Sequence, residues 1–231
     1  MIAAILQARM SSSRLPGKVL APVLGQPMIA RQIERLGRSR RIDRIIVATS
    51  EEASDDPLAE ALTALGLDVV RGPLSDVLGR FLLALDQVPD ADVVLRLTAD
   101  CPLADWRTID ALIDLLASSG ADYANMAMPR TFPHGLDAEA MRPQALRRAG
   151  REAVTAHDRE HVTPYIYADP TRFRLSCLTR TPSLAHLRWT VDYPEDLEFV
   201  RHVYETLYPA NPDFALAEIA ALPWNSSRHA D

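Results

Sequence analysis

Two cysteines in 231 residues, Cys101 and Cys177, are too few and too far apart for a disulfide framework or a thiolate metal cluster. Long hydrophobic runs are also missing. No stretch approaches a membrane span, and the opening run Met1-Ile2-Ala3-Ala4-Ile5-Leu6 meets Gln7 and Arg9 with no basic region before it. A signal peptide is therefore not expected, no membrane partner is expected, and a cytoplasmic location is. Basic residues are in deficit: Lys+Arg 25 against Asp+Glu 31 gives a net charge of −6. That argues against nucleic acid as a partner but leaves room for a local cationic pocket. Several familiar signatures are absent. Lys18 is followed by Val19, so there is no G-x-x-x-x-G-K-[ST] loop. No G-x-S-x-G elbow occurs, and His157 and His161, at i and i+4, lack the HExxH order of a zinc helix.

What is present is a globular composition, 48% hydrophobic and 24% charged, of a length suited to one α/β domain over 1–231. Apolar runs rich in β-branched residues at Ile2–Leu6, Ile45–Ala48, Leu67–Val70 and Val93–Leu97 read as strands buried on both faces. Between them, Met28, Ile29, Ile33 and Leu36, then Leu58, Leu62 and Leu65, then Ile109, Leu112, Ile113 and Leu116 recur at helical spacing. Alternating strand and helix imply right-handed βαβ units and a mostly parallel sheet between helices, with ligands beyond the carboxyl ends of the strands.

After Asn125 the rhythm changes. Pro129, Pro133, Gly135 and Pro143 punctuate short segments, and His134–Met141 alternates enough to suggest an extended arm, an excursion from the core at about 126–170. Helices are expected at Gln144–Val154, Glu160–Ala168 and Glu195–Leu207, and strands at Phe173–Thr179 and Leu187–Val191. The polar run from Asn225 to Asp231 is expected to fray. Met28, Phe81, Trp106 and Phe199 read as packing residues.

The first strand is followed by Gln7-Ala8-Arg9-Met10-Ser11-Ser12-Ser13-Arg14-Leu15-Pro16-Gly17-Lys18. Small hydroxyl residues, a glycine and three cations at a strand's carboxyl end suit a polyphosphate, whose oxygens backbone N–H groups can cradle. Asp100 closes the run Val93–Ala99 on the same sheet edge, where a carboxylate can hold Mg²⁺ together with phosphate oxygens; the alternative is that it caps a turn. Asp192 follows another expected strand. With Glu195 three residues on and Pro194 between, it also reads as a capping box.

These residues resemble a known family. Ala8-Arg9 and Ser12-Ser13-Arg14-Leu15-Pro16-Gly17-Lys18 look like the phosphate loop of the cytidylyltransferases that make CMP-activated acidic sugars, the acylneuraminate and 3-deoxy-octulosonate synthetases. Arg71-Gly72…Asp76-Val77-Leu78…Arg80, Arg96-Leu97-Thr98-Ala99-Asp100-Cys101-Pro102, Gly135-Leu136-Asp137-Ala138-Glu139, Arg159-Glu160-His161-Val162-Thr163 and Trp189-Thr190-Val191-Asp192-Tyr193-Pro194-Glu195-Asp196 resemble its spore-coat-polysaccharide branch. The likeness runs from Ile2 to about Tyr208. It implies a Rossmann-like nucleotidyltransferase fold, similar in architecture to GT-A glycosyltransferases, with Mg²⁺ as cofactor, CTP or another pyrimidine nucleoside triphosphate as donor, and a homodimer formed through the arm.

By the same resemblance, Arg9, Arg14 and Lys18 hold the triphosphate, Arg71, Asp76 and Arg80 lie near base and ribose, and Gln7, Ala8, Ser12, Ser13 and Arg96 also belong to the nucleotide site. Asp100 and Asp192 hold the metal. Tyr123, Asn125, His134, Asp137, Glu139, Arg159 and His161 face an acidic sugar acceptor, and Arg14, Lys18, Asp100 and Asp192 carry catalysis. The reaction so implied is attack of an acceptor hydroxyl on the α-phosphorus with loss of pyrophosphate, for surface polysaccharide or glycan biosynthesis. Metal-bound water, Asp192 and His161 all stand as candidates for the general base. Two rival readings are a sugar-nucleotide-dependent glycosyltransferase, which would release a nucleoside diphosphate, and a non-catalytic nucleotide-binding assembly protein.

Overall fold

The computed structural model describes residues 1–223, so the run from Asn225 to Asp231 lies outside the described residues. The first half alternates as expected. β1 (Ile2–Gln7) leads to a small hairpin of β2 (Pro22–Val23) and β3 (Gln26–Pro27), followed by α1 (Met28–Leu36), β4 (Arg44–Ser50), α2 (Asp56–Ala64) and β5 (Asp68–Gly72). Then come α3 (Val77–Asp86), β6 (Val93–Thr98) and α4 (Trp106–Ser119). The second half holds β7 (Tyr123–Asn125), β8 (Glu139–Met141), α5 (Pro143–Glu152), α6 (Ala156–His161), α7 (Pro164–Tyr167), β9 (Leu175–Cys177), α8 (Pro194–Leu207) and α9 (Leu216–Ala220).

Seven strands form one sheet in the order β5-β4-β1-β6-β8-β7-β9. β1 pairs in parallel with β4 and β6, and β4 with β5, whereas β8 runs antiparallel to both β6 and β7. Period-2 alternation splits the central strands between two cores. Ala4 and Leu6 of β1 join Leu58, Leu112 and Phe199 on one face, and Ala3 and Ile5 join Phe81, Leu146 and Ile166 on the other. Met28, Phe81, Trp106 and Phe199 are all buried. Among the described residues no helix is long and apolar enough to cross a membrane.

Five local features differ from the sequence reading. The stretch His134–Met141 is not an arm clear of the core: only Glu139–Met141 is a strand, and it lies inside the sheet because Ala140 and Met141 are fully buried there. The expected helix Glu160–Ala168 is broken into α6 and α7, since Pro164 has no N–H for a helix interior and clashes with the preceding turn. Leu187–Val191 forms no strand. Its N–H groups divide between two segments, Trp189 and Thr190 donating to His134 O and Val191 to Asp100 O, so no ladder develops. The capping expected of Asp192 belongs to other residues: Asp196 Oδ2 accepts the N–H groups of Asp192 and Tyr193, each at 2.9 Å, ahead of α8. The fifth is α3, absent from the sequence reading although Val77, Leu78, Phe81 and Leu85 fit a helical period; Asp76 caps it by accepting Gly79 N at 2.9 Å.

Candidate active site

β1 lies between β4 and β6, and the chain passes from one side of it to the other after β5, so the sheet has its switch point there. Ligands bind in that crevice in open α/β sheets. A cavity of about 340 Å³ occupies it, lined by Gln7, Ala8, Arg9, Ser12, Ser13, Arg14, Lys18, Thr98, Ala99, Asp100, His161 and Asp192. Ten of these are residues singled out from the sequence, drawn from four separate stretches.

The loop after β1 is shaped by a few bonds. Met10 O accepts the N–H groups of Ser12 and Gly17, both at 2.9 Å, and Gly17 turns the chain at φ 73°. Asp55, fully buried, fastens the loop to the end of β4: it accepts Met10 N at 2.7 Å together with Thr49 Oγ1 and Ser50 N, each at 3.0 Å. Burial alone would raise the Asp55 carboxyl pKa, but these donors, with the Ser50 hydroxyl foremost, hold it below its usual value. Among the described residues the N–H groups of Ser13 and Arg14, both exposed, have no protein acceptor and are open to solvent or to an anion.

Opposite the loop stands Asp192. Its Oδ1 meets Arg14 Nη2 at 2.7 Å and Lys18 Nζ at 3.3 Å, and its Oδ2 meets Arg188 Nη2 at 2.9 Å. Burial pushes this carboxyl upward, but Arg14, Arg188 and Lys18 more than offset it and hold the pKa at about 2. Lys18 is itself buried and donates to Val191 O at 2.5 Å, pinning the segment that carries Asp192. The Asp192 segment is brought in by Gly135, at φ 108°, where a Cβ would stand 2.3 Å from Thr190 N. Asp100 projects from the end of β6, and among the described residues its carboxylate meets only Cys101 Sγ, at 3.4 Å.

The remaining candidates lie outside that lining. Arg80 is fully buried on α3 with Nε and Nη1 unpaired among the described residues. Its guanidinium pKa is lowered by burial and then by the charge of Arg9, with Asp55 and Asp76 opposing. Asp76 accepts Arg159 Nε at 2.8 Å, which ties α3 to α6. Arg71 turns to Ser50 O, Glu52 O and Asp56, at the end of β4 and the start of α2. On the sheet, Arg96 pairs with Glu139 at 3.0 Å beside buried Tyr123, whose phenol pKa is pushed well up by burial and by the Glu139 charge. Asn125 Oδ1 accepts Ala127 N and Met128 N and so shapes the loop after β7. His134 Nδ1 lies 3.4 Å from Arg188, and Asp137 accepts Gly135 N and pairs with Arg130.

Asp55 and Arg188 are the residues that sequence reasoning missed. Arg188 precedes Asp192 by four residues, a charge spacing that was open to view. Asp55 is a single acid in an acidic stretch, and what ties it to the loop after β1 is one backbone donor, Met10 N, 45 residues away, so no spacing motif marks it.

The arrangement joins three cations and free backbone N–H groups to two carboxylates across a small cavity, a setting for a phosphate chain and a divalent cation. Comparison with known proteins points the same way. The Bacillus subtilis spore coat polysaccharide biosynthesis protein SpsF is 32% identical over 228 residues, covering 94% of this chain and 92% of that protein. A 3-deoxy-manno-octulosonate cytidylyltransferase of Anaeromyxobacter dehalogenans is 35% identical over 130 residues, 55% of this chain and 52% of its own. A solved cytidylyltransferase from Leptospira borgpetersenii superposes with a TM-score of 0.88 at 29% identity, over 94% of this chain and 91% of that one. The family model described as cytidylyltransferase matches residues 3–208, and the chain belongs to that family.

Proposed function

We propose that the protein transfers CMP from CTP to an acidic sugar with release of pyrophosphate, in the making of a surface polysaccharide or glycan. The observation that carries this reading is the crevice between β1 and β6, where Arg9, Arg14 and Lys18 face Asp100 and Asp192 across one cavity. The names of the relatives support the donor and the class of acceptor. The cationic loop also favours a triphosphate over the diphosphate sugar of a glycosyltransferase.

Among the described residues no group of three or more His, Cys, Asp or Glu side chains could hold a metal ion alone. Two carboxylates beside a phosphate loop suit a cation that takes one or two carboxylates and fills its shell with water and phosphate oxygens. Asp100 and Asp192 would hold Mg²⁺ there; when bound, it neutralises charge on the phosphate oxygens. The protein's own residues do the rest. Backbone N–H groups and Ser12 and Ser13 seat the triphosphate, while Arg14 and Lys18 exchange Asp192 for phosphate oxygens and offset the charge that gathers on pyrophosphate as it leaves. Catalysis is then mainly positioning and charge neutralisation. Arg80, with unpaired N–H groups near Arg9, reads ribose or base, while Asp76 and Arg159 position α6. Arg96, Glu139, His134 and Asp137 are the groups offered to the acceptor, with Tyr123 wholly buried beside the Arg96–Glu139 pair.

The same reading takes the chain as one domain, working in the cytoplasm where CTP is made, and as a homodimer joined through 126–170. Mass spectrometry of products formed from CTP and a panel of carboxylated keto-sugars tests it. A CMP-linked sugar is expected; release of a nucleoside diphosphate from a sugar nucleotide would favour the glycosyltransferase reading instead.

A further inference from the structure

An acceptor hydroxyl that attacks phosphorus has to lose its proton, and the cavity offers few groups able to take it. Arg9, Arg14 and Lys18 are donors. Asp192 keeps its Oδ2 on Arg188 at 2.9 Å, and its Oδ1, released when Arg14 and Lys18 turn to phosphate, is given to the cation. Asp100 is given to the cation. Among the side chains His161 remains, an imidazole on the cavity wall, exposed to solvent, with the ring of His157 centred 4.5 Å from its own.

His161 owes its place to an unusual piece of backbone. It is the last residue of α6, and Val162, fully buried, follows at φ 73°, ψ −54°. Thr163 N donates to His161 O at 2.9 Å, closing a three-residue γ-turn of the rare positive-φ kind. A β-branched residue is among the worst choices for that conformation. The surroundings enforce it. Val162 and Ile166 are locked into the core, Pro164 starts α7, and Asp76 grips Arg159 two residues before His161. Such outliers persist where structure over-determines them, and they cluster at working sites. The turn stops α6 at the cavity rim and sends the chain down into the core.

We propose that His161 is the general base of the transfer, resting on the CMP-transfer reading above. One ring nitrogen takes the acceptor O–H proton as that oxygen forms its bond to the α-phosphorus. The bond from the α-phosphorus to the bridging oxygen breaks, and pyrophosphate leaves with its electron pair. The proton passes from the exposed ring to water.

The test is steady-state and binding analysis of His161→Gln and His161→Ala beside the unaltered protein. Positioned proton transfer contributes on the order of 10²–10⁴ in rate, so kcat is expected to fall by that factor while CTP affinity stays within about twofold. Added imidazole is expected to restore turnover in His161→Ala, an outcome a merely structural histidine would not give. Retention of kcat within about tenfold in His161→Gln, or no imidazole rescue, overturns the assignment and leaves the transfer reading standing. An unaltered protein that binds CTP and transfers nothing to any acidic sugar overturns both.

Discussion

Arg14 Nη2 stands 2.7 Å from Asp192 Oδ1, so the exposed cation of the loop after β1 and the acid of the opposite wall hold each other across the cavity. Lys18 and Arg188 share the same carboxylate, and their combined effect is the pKa of about 2. A carboxyl depressed in the folded state contributes stability that is fully present above its unfolded value and is lost as pH falls through the folded one.

Asp192→Asn is accordingly expected to lower stability by about 1–2 kcal/mol above pH 5, a figure discounted for the partial solvent exposure of the group. The difference from the unaltered protein should shrink between about pH 4 and pH 2. Urea unfolding of both at pH 6, 4 and 3 measures it; a difference independent of pH would mean that the ion pairs are not its source.

Asp100 makes so little contact within the protein that Asp100→Asn should fold with an unchanged melting temperature. Loss of one preorganised electrostatic contact costs about 2.7–4 kcal/mol of barrier, so turnover should fall about a hundred- to a thousandfold. Thermal melts and pyrophosphate release check the two halves separately.

Gly135→Ala places a Cβ 2.3 Å from Thr190 N and 2.5 Å from Trp189 C, at a φ of 108° that alanine avoids. The expected cost is about 3 kcal/mol or more, with the Arg188–Asp192 segment displaced. Denaturant unfolding gives the cost. A variant as stable as its parent would show that the two backbones need not approach so closely.

At Val162 the usual ranking of small substitutions should reverse. At a buried position alanine normally costs less than glycine, but at φ 73° glycine is favoured by about 1–2 kcal/mol. Val162→Gly is therefore expected to be more stable than Val162→Ala, as chemical denaturation of the pair would show; the opposite order would deny the γ-turn.

The parallel half of the fold could be read from the chain because Ile2–Leu6, Ile45–Ala48 and Val93–Leu97 are buried on both faces, and their continuous apolar runs need no partner to be recognised. The loop from Arg9 to Lys18 and the acid at Asp100 could be read for a related reason: each directly follows such a strand, so its position on the sheet edge is set locally. Glu139–Met141 is a three-residue strand whose membership in the sheet depends on Arg96 and Asn125, far away in sequence. Leu187–Val191 has the composition of a strand, but His134 and Asp100 divide its backbone bonds. Gly79 weakens the helical signal of α3, yet it leaves room for the Asp76 cap, whose carboxylate a Cβ there would meet at 2.5 Å. Asp55 and Arg80 draw their surroundings from several elements at once, and no spacing rule reports that.

Pyrophosphate release tests the central claim most directly, measured with CTP, UTP, ATP and GTP in turn, each with Mg²⁺ and the same mixture of carboxylated keto-sugars. Release with CTP that depends on the sugar and falls sharply in Asp100→Asn is the expected result. Bound CTP with no pyrophosphate from any of the four, against every sugar offered, would contradict it.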